Sequence, residues 1–283
     1  MKGLGAGVVA VVAVFWSCTT AAGSDTPVQS VIKGDVRWRG EVSVDGIAIV
    51  TREGRLTIEA GTTVRFLQRD DDGDGIGDSE LRVEGVLRVE GTPDRPVLFT
   101  SAAARPAPAD WKYIMINHGR DAAVSNAVVE YAFSGVQIHY TRGTFRGLVS
   151  RHNVDGFRFS TAPVVLEDSL LTRNENGIRF EERGAGASVR GNIVTDNRFG
   201  LFAVIKCEGL SVMENNLFEN NSEYNVKMGE RQTTDLPLSC NWWGTSLDGE
   251  IRASFFDGRM EPGLGRVLYE PYLKERPTLA KSP

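Results

Sequence analysis

An all-β solenoid is the fold class this 283-residue sequence predicts, on three observations: a recurring segment, a short apolar triplet inside each recurrence, and asparagines in matching columns. Four segments align, AFSGVQI (132–138), NVDGFRF (153–159), NENGIRF (174–180) and NRFGLFA (197–203). Their glycines, Gly135, Gly156, Gly177 and Gly200, are spaced 21, 21 and 23 residues apart, and NSEYNVKM puts Asn225 in the same column after a further 25. Asparagine, like glycine, tolerates positive φ, so the column reads as a turn position.

After each column residue comes an apolar–variable–apolar triplet: Val136-Gln137-Ile138, Phe157-Arg158-Phe159, Ile178-Arg179-Phe180, Leu201-Phe202-Ala203 and Val226-Lys227-Met228. Period 2 over three residues is a short strand with one buried face. A unit of 21–25 residues built from such strands cannot bury its own apolar side, but units stacked about 4.8 Å apart bury one another's. The arrangement is a parallel β-helix. A leucine-rich repeat of similar period needs an L-x-x-L-x-L pattern and a helical segment in each unit, and neither occurs here.

The asparagines agree. Nine of thirteen lie between Asn174 and Asn225, in the columns Asn153, Asn174, Asn197, Asn221 and Asn192, Asn216, Asn241. Stacked amides hydrogen-bond from coil to coil, so these are ladder residues rather than catalytic ones. The reading divides the chain into a leader (1–17), a linker (18–30), the β-helix (31–273) and a tail (274–283), with an acidic insertion at 69–80 and a C-terminal cap at 241–273.

The leader MKGLGAGVVAVVAVFWSC has one early lysine, an apolar run and a closing cysteine. That is the shape of an export signal. It resembles a bacterial lipoprotein signal, which implies lipidation of Cys18, a membrane lipid anchor and a place in the cell envelope or outside the cell; cleavage after Thr20-Ala21-Ala22 is the alternative. Cys207 and Cys240 have no metal-type spacing and read equally as a disulfide or as two buried small side chains. A formal net charge of −5 gives no nucleic-acid signature.

LTIEAGTTVRF (56–66), LRVEGVLRVEGTPDRPVLFTS (81–101), the Asn-x-x-Gly lines and the ending CNWWGTSLDGEI together resemble right-handed β-helix repeat proteins of the pectin-lyase-like group, over roughly residues 30–273. The resemblance implies that Asn241-Trp242-Trp243-Gly244 closes the stack. Two tryptophans would cover an open end; a sugar-stacking platform is the functional alternative.

RDDDGDGIGDSEL (69–81) crowds five aspartates and a glutamate between two strands. Asp70, Asp72 and Asp74 hold positions 1, 3 and 5 of a D-x-D-x-D-G pattern, Gly75 position 6 and Asp78 position 9, with the carbonyl of Ile76 between them. Alternate oxygens in this order converge on calcium. Position 12 is Leu81, and Glu80 comes one residue early, so the loop is similar to thrombospondin type 3 calcium loops rather than to an EF-hand. The metal set is Asp70, Asp72, Asp74, Ile76, Asp78 and Glu80, with calcium in a structural role.

The outward members of the triplets form a column, Gln137, Arg158, Arg179, Phe202 and Lys227. Stacked arginines repel unless carboxylates or a bound anion relieve them. Glu167, Asp168, Glu181 and Glu182 are available for internal pairing; the alternative is an anion- or carbohydrate-binding groove formed by Arg158, Arg179, Lys227 and Phe202. His118, His139 and His152 fit no catalytic order and read as surface or turn residues, and no catalytic residue is assigned. The expected function is a non-catalytic exported scaffold or binding protein, lipid-anchored, with a polysaccharide or surface protein as partner. The alternative is a lyase or hydrolase acting on uronate-rich carbohydrate.

Overall fold

The computed structural model describes residues 31–279 and the backbone of a short strand, Ala21–Ala22. The leader, Cys18 and residues 280–283 lie outside the described residues. The chain winds into a three-faced stack of coils in which every pair of neighbouring strands is parallel. The first face is a ten-stranded sheet beginning at Val31–Ile32 and including Glu80–Val83, Trp111–Asn117, Ala132–His139, Asp155–Ser160, Asn176–Glu181, Phe199–Ala203 and Tyr224–Met228. The second and third faces are joined in one sheet because two long strands, Asp121–Glu130 and Gly143–Arg151, run through both and bend at Asn126 (φ 47°) and Gly147 (φ 61°).

The triplets pack as their pattern requires. Val136 and Ile138 pair with Phe157 and Phe159, these with Ile178 and Phe180, then Leu201 and Ala203, then Val226 and Met228. All are buried. Phe159 stacks on Phe180 at 5.2 Å, and Phe145 meets Phe157 edge-on at 4.8 Å. Removing any one of these rings would cost about 3–5 kcal/mol.

The glycine column is real, but its cause differs from the expected turn. Gly135, Gly156, Gly177 and Gly200 do not have positive φ; they lie inside strands, where a Cβ would sit 2.6–2.8 Å from the carbonyl oxygen of the residue one coil on. Close backbone approach selects glycine here, not left-handed conformation.

Left-handed residues instead turn the corners of the coils between His118 and Cys240. Entering the first face are Tyr131, His152, Arg173, Asp196 and Asn220; leaving it are His118, Tyr140, Thr161, Arg183 and Lys206; between the second and third faces are Asn126, Gly147, Asp168, Gly191, Asn215 and Cys240. Directly after two of these corners run the asparagine ladders. Asn153 Nδ2 donates to Asn174 Oδ1 (3.2 Å), Asn174 to Asn197 (3.1 Å) and Asn197 to Asn221 (3.1 Å). The second ladder links Asn192, Asn216 and Asn241 at 2.9 and 3.1 Å. Each acceptor oxygen also takes the backbone N–H of the asparagine before it.

At the C-terminal end Trp243 stacks on Phe218 (5.0 Å) and meets Phe255 edge-on (4.9 Å), while Ile251 of the helix Asp248–Ala253 is buried beside them. Trp242 and Trp243 are 8% and 2% exposed, so the sugar-platform reading of these tryptophans is overturned: they are packed inside. Cys207 and Cys240 are free thiols, Cys207 buried and Cys240 partly exposed, so the structure has the unbridged form of the two readings.

The acidic insertion (69–80) and the loop 102–110 leave the same corner in successive coils and touch. Gly77 N–H donates to Ala109 O at 2.8 Å, and a Cβ on Gly77 would overlap Asp110 O, so only glycine fits. Buried Asp110 anchors the junction, accepting from Ser101 Oγ (2.6 Å), Ala107 N–H (3.1 Å) and Gln68 Nε2 (3.0 Å).

Candidate functional site

The acidic loop folds over its own backbone. Asp70 accepts from the N–H groups of Gly73, Asp74 and Gly75 at 2.8–3.1 Å, Asp74 accepts from Ile76 N–H at 2.8 Å, and Asp78 accepts from Asp71 N–H at 2.8 Å. Asp70, Asp72 and Asp78 bring one carboxylate oxygen each within 4.8 Å of one another. Asp74 and Glu80 stand outside this group. Glu80 is 1% exposed and paired with Arg82 at the foot of the loop, with Oε2 lacking a hydrogen-bond partner, so its carboxylate belongs to the sheet rather than to the aspartates. Lys112 binds Asp78 at 2.7 Å, and that contact, then the Asp71 N–H, holds the Asp78 carboxyl below its usual range. An all-oxygen set of three converging carboxylates has the chemistry of a hard-cation site.

The second candidate lies on the first face. Register places Gln137, Arg158, Arg179, Phe202 and Lys227 one above another, as the triplets predict. The carboxylate beneath the arginines is not one of the four expected. Glu167 pairs with Arg146 (2.9 Å), Glu181 with Arg183 (2.5 Å), and buried Glu182 accepts backbone N–H groups of Leu210 and Ser211, while Asp168 turns a distant corner. Asp155 takes their place: its side chain is fully buried, 3.7 Å from Arg158 and 3.5 Å from Arg179. Asn176 Nδ2 donates to it at 2.8 Å and Ser134 Oγ at 3.3 Å.

One carboxylate therefore serves two guanidiniums. Burial, then the charge of Arg179, pulls the Arg158 pKa down, and Asp155, then Glu181, oppose the fall. Arg179 Nε is buried without a hydrogen-bond partner, as is Gln137 Oε1. Arg179 and Lys227 lie over the Phe202 ring at 5.4 and 5.2 Å, and Lys227 over Phe199 at 4.3 Å. Such contacts supply about 0.5–1 kcal/mol at exposed sites and do not neutralise the cations.

Gln137 Nε2 lies 2.8 Å from His139 Nε2. With the Gln137 amide in this orientation its nitrogen donates and the ring nitrogen accepts, which puts the proton of a neutral imidazole on Nδ1. Burial and then Arg158 lower the His139 pKa, which agrees with that neutral form. Reasoning from sequence missed Asp155, Gln137 as a site residue, and His139. The signal for Asp155 was present: it precedes the column glycine in NVDG and stands three residues before Arg158, in register with Ser134 and Asn176.

Two family models match the chain. A right-handed β-helix region matches residues 110–241, and a pectate-lyase-like β-helix domain matches residues 31–148. They overlap on residues 110–148, which hold Gln137 but none of the column's cations. No curated protein and no solved structure matches the chain.

Proposed function

Taking the chain as a right-handed parallel β-helix protein, we propose that it binds an anionic, uronate-bearing carbohydrate on its first face as an exported, non-catalytic binding protein. The observation that carries this reading is the stacked Arg158–Arg179 pair that shares the buried carboxylate of Asp155. A sugar carboxylate at the exposed edge of the Arg179 guanidinium would supply further negative charge to the pair. Phe202 and Lys227 extend the same column toward the C-terminal end. The similarity of residues 31–148 to a pectate-lyase-like domain supports carbohydrate as the ligand class. Calorimetric titration of residues 19–283 with oligogalacturonides tests it: binding that weakens in Arg179→Met and is absent for neutral oligosaccharides is expected. Equal binding of neutral and anionic oligomers would sink the charge-based reading.

Calcium held by Asp70, Asp72 and Asp78 would relieve the loop's repulsion and fix the loop beside the first face, a structural role. A second arm of the same proposal is lipidation at Cys18, read out by mass spectrometry of the membrane fraction and its loss in Cys18→Ser.

A second reading, a lyase, has one observation in its favour: neutral His139 lies near Arg158, and its Nε2, held at rest by the Gln137 amide, would serve as a base once that contact opened. Ultraviolet absorbance of unsaturated uronate would appear on incubation with polymer if the protein is such an enzyme. A flat trace under conditions of saturated binding leaves the binding protein.

A further inference from the structure

We propose that the stacked rings of His118 and Tyr140 form a sugar-stacking platform on the rim of the first face, next to Gln137 and His139; the inference rests on the carbohydrate reading above. The rings belong to successive coils and lie parallel within 6°, with centroids 4.5 Å apart. His118 is exposed, and Tyr140 is 52% exposed, a large aromatic side chain left in water at the corner. His139 stands 6.4 Å from Tyr140 on the inner side.

His118 and Tyr140 have φ of 50° and 49° and turn the corner that leaves the first face, as Thr161, Arg183 and Lys206 do in later coils. Of these five corner residues only the two nearest Gln137 carry rings, and those rings stack on each other and stay in water.

The chemistry is that of a pyranose ring. Its aliphatic C–H face would lie on the exposed aromatic surface, the arrangement that suits rings with one apolar and one wet side. Tyr140 follows directly on the strand that carries Gln137, at most about 10 Å away along the chain, and Gln137 is the register neighbour of Arg158. One sugar on the platform and the next over the arginine column span that distance. The platform supplies a contact that does not depend on charge, so it sets affinity for the ring as the arginines set preference for the carboxylate.

Tyr140→Asn tests this without endangering the fold, since asparagine tolerates the corner's conformation. The expected result is an unchanged or higher melting temperature with oligogalacturonide affinity reduced roughly three- to tenfold, as loss of one aromatic contact implies, while Tyr140→Phe binds as the parent does. Unchanged affinity in Tyr140→Asn would overturn the platform, and so would a lowered melting temperature, which would make the ring a structural element. A parent chain that binds no oligomer would instead overturn the carbohydrate reading; binding that depends on Arg179 and ignores Tyr140 overturns the platform alone.

Discussion

The asparagine ladder and the arginine column are both stacks of like side chains in register, and they behave in opposite ways. In the ladder, each amide carries a donor and an acceptor, so Asn153, Asn174 and Asn197 satisfy one another from coil to coil. A guanidinium only donates. Arg158 and Arg179 cannot satisfy each other and depend on Asp155 below them. Repetition of a self-complementary group stabilises a solenoid; repetition of a self-repelling group marks a place where something else is needed.

Asp155→Ala should have the largest effect, about 3–5 kcal/mol, because it leaves two partly buried cations uncompensated. Adding Arg158→Met and Arg179→Met should recover most of that loss in urea unfolding; no recovery would mean that Asp155 acts through Asn176 and Ser134 alone. Asn174→Ala interrupts the ladder and orphans Asn153 N–H and Ser150 O, with an expected loss of about 2–3 kcal/mol. Gly177→Ala brings a methyl to 2.7 Å from Gly200 O, with an expected loss of about 1–3 kcal/mol from overpacking. A melting temperature equal to the parent's would show that the coils can spread there.

The smallest effect is a pH slope. Burial, then Arg158, lowers the folded pKa of His139, and burial, then Arg151, lowers that of His152. The folded chain thus binds protons less readily than the unfolded chain. Its stability is complete above the unfolded histidine value of about 6.5 and declines as pH falls below it toward the folded values. His139→Gln should flatten the stability profile between about pH 7 and 5; an unchanged slope would place the effect at His152.

Much of the fold was legible because a solenoid writes its period into the chain. The triplets from Val136 to Met228 identified buried and outward positions, and the asparagine columns identified their own partners. The glycine column was found with the wrong cause, because sequence spacing does not separate a left-handed turn from close approach of a carbonyl. The true left-handed corners escaped notice since they hold Tyr, His, Arg, Thr, Lys and Asp as well as Asn and Gly. Asp155 was missed for a similar reason: its column reads Ser134, Asp155, Asn176, Phe199, four chemistries at one position. In the acidic loop the aspartate spacing was legible, whereas the diversion of Glu80 to Arg82 depends on the strand that begins at Glu80.

Parallel sheets are ordinarily slow to form, since their strands lie far apart along the chain. Here each strand of the regular coils meets one a single turn away, as Arg158 meets Arg179. That separation corresponds to a relative contact order of roughly 0.08, in the range of helical bundles rather than sandwiches. A chain so arranged can nucleate at its aromatic middle, around Phe157 and Phe180, and lengthen in both directions one turn at a time.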